Sequence, residues 1–187
     1  ADDVMHMASL GAKNISVEPV VGGPEDPYAL REEDVPAILA EYEKLAEELR
    51  KHPEVNFFHF NVDLAQGPCV IKRLRGCGAG CEYVAITPEG DIYPCHQFVG
   101  NEDYKLGNLY EGAFNMEISK AFSNLNIYTR EDCKDCWARF YCSGGCSASN
   151  LLVNGDIKKP HHVGCELERK RLECAFDLRA IAAGMGD

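Results

Sequence analysis

The apolar and polar positions of the first sixty residues follow two different rhythms. Residues 13–21, Lys-Asn-Ile-Ser-Val-Glu-Pro-Val-Val, are rich in β-branched side chains and run into Gly22-Gly23-Pro24. That pattern predicts a strand entering a loop. Helical spacing follows over about residues 34–51, where Ile38, Leu39, Tyr42, Leu45, Ala46 and Leu49 form one stripe. Asp34 is placed to cap this helix and Pro36 falls in its first turn, where a missing N–H does no harm. Glu47 and Lys51 form a supportive i,i+4 pair, Glu43 and Glu47 an unfavourable one, and His52-Pro53 stops the helix. Val55 to Phe60 is again β-prone. Strand, helix and strand make a crossover unit of a parallel sheet, too small to close a barrel alone. No glycine-rich phosphate loop accompanies it.

Gln66-Gly67-Pro68 breaks the pattern and predicts a boundary. Beyond it, Lys72, Arg73 and Arg75 read as a solvated basic run, and Cys69 as a core thiol without a recognisable partner. Tyr83 to Ile86 and Asp91 to Tyr93 flank Pro88-Glu89-Gly90, a hairpin whose glycine supplies the positive φ of a tight turn. The hairpin brings Cys95 back towards Cys77 and Cys81. Leu106 to Leu109 and a short helix near residues 113–122 follow. A last helix beginning near Cys165 carries Leu167, Cys174, Leu178 and Ile181 on one stripe, which makes Cys174 a core residue; Gly184 and Gly186 end it.

The cysteines change the picture most. Cys133, Cys136, Cys142 and Cys146 fall within fourteen residues, followed by Cys165, far denser than packing needs. Gly144 and Gly145 let the backbone turn so that thiolates converge, while Trp137, Phe140 and Tyr141 are placed to shield a centre from water. Ten cysteines in 187 residues leave disulfides, structural zinc and iron–sulfur clusters to weigh. Disulfide frameworks suit shorter secreted chains, and zinc motifs more often repeat C-x2-C or add histidines. The irregular intervals favour iron–sulfur ligation. A net charge of −11 argues against nucleic acid as a partner, and no apolar run is long enough for a membrane span. No secretory signal is visible, and the opening Ala-Asp-Asp is what a processed or truncated piece would show.

The ordered set Cys77, Gly90-x4-Cys95, Cys133-x2-Cys136-x5-Cys142-x3-Cys146 and Cys165 resembles the SPASM domain of radical S-adenosylmethionine peptide-modifying enzymes. Residues 13–66 resemble the late elements of the partial (β/α) barrel that precedes it. Gly67-Pro-Cys69-Val-Ile-Lys-Arg-Leu-Arg-Gly-Cys77-Gly and Tyr93-Pro-Cys95-His-Gln-Phe-Val-Gly100 look like the branch that matures Cys-rich SCIFF precursor peptides through thioether bonds. The resemblance implies an α/β plus α+β fold, with barrel-derived residues 1–66 and a linker and SPASM domain over 67–187. It implies two 4Fe-4S clusters. Cys77, Cys95 and Cys146 would hold the first, with Cys81 as the expected fourth ligand; Cys133, Cys136, Cys142 and Cys165 would hold the second. His96 stands where a sulfatase-maturing relative carries an Asp proposed to accept a proton, so it is the candidate base.

One departure limits the reading. The family's S-adenosylmethionine-cleaving cluster needs a C-x3-C-x2-C motif, and no cysteine precedes Cys69. The chain is therefore expected to be the C-terminal half of a cytoplasmic oxidoreductase. S-adenosylmethionine and a third 4Fe-4S cluster would belong to an N-terminal radical half. The expected partners are that half, a Cys-rich precursor peptide and a reductant such as flavodoxin or ferredoxin. The rival readings are a zinc- or iron–sulfur-stabilised peptide-binding module and a standalone electron-transfer protein.

Overall fold

A computed structural model describes residues 1–62 and 74–184. The expected boundary at Gln66-Gly67-Pro68, Cys69, Lys72, Arg73 and Gly186 lie outside the described residues. The chain divides into two units, Ala1–Gly67 with His162–Asp187, and Pro68–His161. The sequence places a boundary near residue 66; the structure also returns the final helix to the first unit.

In the first unit, helix α1 (Asp2–Ser9) leads to strand β1 (Asn14–Ile15), and helix α2 (Val35–Lys51) connects it to strand β2 (Asn56–Phe57). β1 and β2 pair in parallel, Asn14 with Asn56 and Ile15 with Phe57, as a strand–helix–strand unit requires. Both strands are shorter than the apolar runs predicted. After Phe57 the chain turns into a 3-10 segment at Phe58–Phe60, which stacks Phe60 edge-on against Phe57 and Tyr42. Pro36 occupies the first turn of α2, but Asp34 does not cap it. Its carboxylate instead accepts the Arg31 N–H at 2.9 Å, closing a preceding 3-10 turn. Lys51 likewise pairs with Glu48 at 2.9 Å rather than with Glu47.

The last helix, α6 (His162–Ala182), starts three residues before Cys165. It lays Val163 and Leu167 against Val35, Ile38, Leu39 and Tyr42 of α2, the stripe read from the sequence. Arg171 donates from Nε to the Tyr42 hydroxyl at 2.9 Å, and Lys170 reaches Glu43 at 2.8 Å. Cys174 is buried, its thiol facing the Tyr42 carbonyl at 3.6 Å.

The second unit is built on an antiparallel meander: β3 (Ala85–Ile86), β4 (Asp91–Tyr93), β5 (Gly107–Asn108) and β6 (Ala113–Phe114) in that order. The first pair is the predicted hairpin, with Ala85 opposite Tyr93 and Gly90 at φ +85°. Asn115 caps helix α3 (Met116–Ser123), accepting the amides of Glu117 and Ile118. The core gathers Tyr93, Phe98, Leu106, Phe122 and Ile127. Helices α4 (Arg139–Cys142) and α5 (Ser147–Asn154) complete the unit. Asn150 on α5 is almost wholly buried; its amide donates to the Ile157 carbonyl at 3.3 Å and accepts the His161 N–H at 2.9 Å. Among the described residues no helix is long and apolar enough to cross a membrane.

Candidate metal centre

Three segments of the second unit carry its thiols together. The first is the loop from Gly76 to Cys81. Gly80 anchors it, donating its N–H to the carbonyls of Tyr83 at 3.0 Å and Pro94 at 2.9 Å, and accepting the Ser119 hydroxyl at 2.9 Å. Gly80 sits at φ +76°, and a Cβ there would lie 2.9 Å from the Phe122 ring, so only glycine allows this docking. Tying the loop to Pro94 sets Cys77 beside Cys95, which follows β4 after Pro94. The Tyr83 hydroxyl donates towards the Cys77 sulfur at 3.9 Å. Burial, and then the Cys77 thiol, hold that phenol well above its ordinary range.

The second segment begins at Cys95. Burial pushes its thiol up, while the backbone amides of Gln97 and Phe98 favour the thiolate. Cys146 and Cys77 both lie within electrostatic reach of it. A 3-10 turn, His96–Phe98, buries Phe98 and leaves His96 exposed, its ring 3.1 Å from the Gln97 amide.

The third segment is the cysteine loop itself. Ser143, Gly144 and Gly145 take left-handed backbone at φ 60°, 92° and 71°, reversing the chain between Cys142 and Cys146. Gly76 lies against Ser143, where a Cβ would be 3.4 Å from the serine's Cβ. That contact joins the cysteine loop to the loop bearing Cys77. Cys133 is buried and Cys136 half-buried, each within electrostatic reach of the other, and burial pushes the Cys133 thiol up.

The structure thus brings together Cys77, Cys95 and Cys146, and separately Cys133 with Cys136. Cys81 is exposed, lies within electrostatic reach of Cys77, and donates its thiol to the Gly78 carbonyl at 3.4 Å. Burial pushes that thiol up as well. Cys165 is half-buried near the start of α6, in the other unit. Among the described residues no three Cys, His, Asp or Glu side chains gather around one metal-ion position. A cubane makes a different demand: each thiolate binds a separate iron, so its ligands stand farther apart than those of one tetrahedral ion. The donor set, soft thiols served by backbone amides, fits such a cluster.

Two features depart from the sequence reading. Trp137 and Tyr141 are 49% and 38% exposed, where the sequence reading expects covered rings. Arg130, which no motif flagged, is 2% exposed beneath the cysteine loop. It donates from Nη1 to the Gly144 carbonyl and from Nη2 to the Ser147 hydroxyl at 3.0 Å. A Cβ on Gly144 would lie 2.8 Å from the Arg130 Cδ. The glycine is therefore needed as much for this arginine as for the turn.

Residues 77–137 match the SPASM family, described as an iron–sulfur cluster-binding domain. This stretch of the chain is thus similar to SPASM domains. An uncharacterized protein of Archaeoglobus fulgidus is 29% identical over 56% of the chain, and the antilisterial bacteriocin subtilosin biosynthesis protein AlbA of Bacillus subtilis is 36% identical over 44% of it. These matches cover 25% and 19% of the two relatives. Among solved structures, native anSMEcpe with bound AdoMet and Kp18Cys peptide aligns with 98% of the chain at a TM-score of 0.60, and a tagged form with bound AdoMet with all of it at 0.61. Both are 18% identical, a likeness of fold, and the chain covers 55% and 53% of them. The chain therefore spans about half, or less, of the proteins it resembles.

Proposed function

We propose that this chain is the auxiliary-cluster part of a radical S-adenosylmethionine peptide-maturing enzyme, its first 66 residues belonging to the end of the partial barrel. The observation that carries this reading is the convergence of Cys77, Cys95 and Cys146 from three segments of a SPASM fold. Cys77, Cys95 and Cys146, with Cys81 as the expected fourth ligand, would hold one 4Fe-4S cluster. Cys133, Cys136, Cys142 and Cys165 would hold a second. When bound, such clusters accept and release electrons and can fix a substrate thiolate.

This chain's own residues then have distinct duties. The amides of Gln97 and Phe98 stabilise the Cys95 thiolate, and the Tyr83 hydroxyl faces Cys77. Exposed beside Cys95, His96 is placed to take a proton from substrate. The substrate we favour is a Cys-rich precursor peptide, joined by a thioether between a cysteine sulfur and a backbone carbon. Subtilosin biosynthesis by a relative and a bound peptide in a structural neighbour both support a peptide substrate.

Anaerobic reconstitution tests the cluster assignment: the protein should carry about eight iron per chain and show two reducible clusters by electron paramagnetic resonance. Four iron or fewer with all thiols intact, or a colourless zinc-loaded protein, would overturn it. Supplied with the radical half, S-adenosylmethionine and a reductant, the chain should support loss of two hydrogens per cross-link in a Cys-rich peptide. An unchanged peptide mass would reject the thioether chemistry.

A further inference from the structure

Two arginines of the second unit, the buried Arg130 and the half-buried Arg139, each have a buried Nε with no hydrogen-bond partner among the described residues. Leaving a buried charged donor unsatisfied is costly, so such a group calls for a partner that the polypeptide alone does not supply. Arg139 spends Nη1 on the carbonyls of Lys134 and Cys136 and lies over the Phe140 ring, so its placement is explained locally. Arg130 is different. Its Nη groups are held by the Gly144 carbonyl and the Ser147 hydroxyl, which fixes the plane of the guanidinium. Cys133 and Cys142 lie within electrostatic reach on behalf of one proposed quartet, Cys146 and Cys77 on behalf of the other.

We propose that Arg130 is a redox-tuning residue set between the two clusters, its cation shared by both ligand sets and its Nε–H left to donate to cluster sulfur. This rests on the two-cluster assignment above. Three observations carry it: near-complete burial, an orphaned donor, and a side chain clamped over a glycine that has no room for a Cβ. The physical consequence has one sign. Each cubane with four thiolates is anionic, and reduction adds another negative charge. A fixed buried cation, and an N–H···S hydrogen bond, stabilise the reduced form more than the oxidised form and raise the potential. Burial opposes the guanidinium charge, and the four neighbouring thiolates favour it; arginine keeps its proton in proteins in any case. Arginine suits the place better than lysine because its planar fork uses two nitrogens as anchors while a third stays free.

Potentiometric titration of the fully loaded chain, followed by electron paramagnetic resonance, tests this. Arg130→Gln should lower both midpoints, changing the oxidised-to-reduced ratio at fixed potential at least tenfold, about 59 mV for one electron. Arg130→Lys keeps the charge but loses Nε–H, and should give a smaller fall, about threefold or 28 mV on the same scale. Wild-type iron content with wild-type midpoints in either variant overturns the assignment. If neither variant retains iron, wild-type protein carrying nitrogen-15 arginine decides. A nitrogen coupling to the reduced clusters that survives Arg75→Lys and Arg139→Lys supports Arg130, and no coupling overturns it. Iron content below two clusters in the wild type would instead count against the two-cluster reading itself.

Discussion

The two units are held together by different means. In the first, α2 and α6 bury matching apolar stripes, and polar contacts such as Lys170–Glu43 and Arg171–Tyr42 decorate the seam. Hydrophobic burial of this kind survives local damage, because each residue contributes a modest share. In the second, strands are two or three residues long and the chain is positioned by turns, amide-to-carbonyl contacts and buried polar side chains such as Asn150 and Arg130. Losing one such contact leaves a buried partner unsatisfied. The unit that bears most of the thiols is therefore the one with more to gain from metal, since ligation energy acts as folding energy.

The largest expected effect comes from removing iron. Chelating the clusters from anaerobically loaded protein should raise amide exchange in β3–β5 and α5 by about a hundredfold or more, equivalent to about 2.7 kcal/mol of lost ligand stabilisation. Exchange in the middle of α2 should change by less than tenfold. Equal loss of protection in α2 and α5 would show that the distinction between the two units is false.

Next in size is Asn150→Ala. It removes the partner of the buried Ile157 carbonyl and of the half-buried His161 N–H. At 1–3 kcal/mol for each unsatisfied group, a loss of about 2–4 kcal/mol is expected from urea denaturation of loaded protein. A cost below about 0.5 kcal/mol would mean that water enters and that the second unit is less dependent on buried polar contacts than its geometry implies.

What the sequence disclosed follows the same division. The α2 stripe, the Pro88-Glu89-Gly90 hairpin and the core position of Cys174 were legible because each rests on a local period or turn. The docking of α6 onto α2 was not, since more than a hundred residues intervene and an apolar stripe does not name its partner. Asp34 looked like a cap, yet a turn three residues earlier competed for its carboxylate. Cysteine intervals pointed to the candidate centre, and a family match over residues 77–137 agrees with them. Arg130 stayed hidden: a buried arginine is written with the same letter as a solvated one, and Gly144, which makes room for it, was already explained by the turn. The exposure of Trp137 and Tyr141 was not legible either, because aromatic content near thiols does not say which way a ring faces.

The smallest effect sharpens the comparison from the other side. Cys174 is packed in the α2–α6 seam and is outside both proposed ligand quartets, so Cys174→Ala should leave the iron content unchanged. At neutral pH it should cost about 1 kcal/mol, the loss of one buried sulfur with partial relaxation around it. Burial pushes the Cys174 thiol up from 9.0 to about 11. Below pH 9 both folded and unfolded chains keep the proton, and the packing energy is fully present. Between pH 9 and 11 the unfolded chain releases it while the folded chain retains it, so stability falls as pH rises, by about 2–3 kcal/mol over the two units. Alanine has no proton to lose and escapes this term. Exchange of α2 and α6 amides should therefore show the wild type more stable at pH 7 and the variant more stable near pH 11, with the curves crossing inside that window. Parallel curves would mean that the thiol is better solvated than its burial indicates. Loss of iron in the variant would move Cys174 from the first unit's core to the second unit's chemistry.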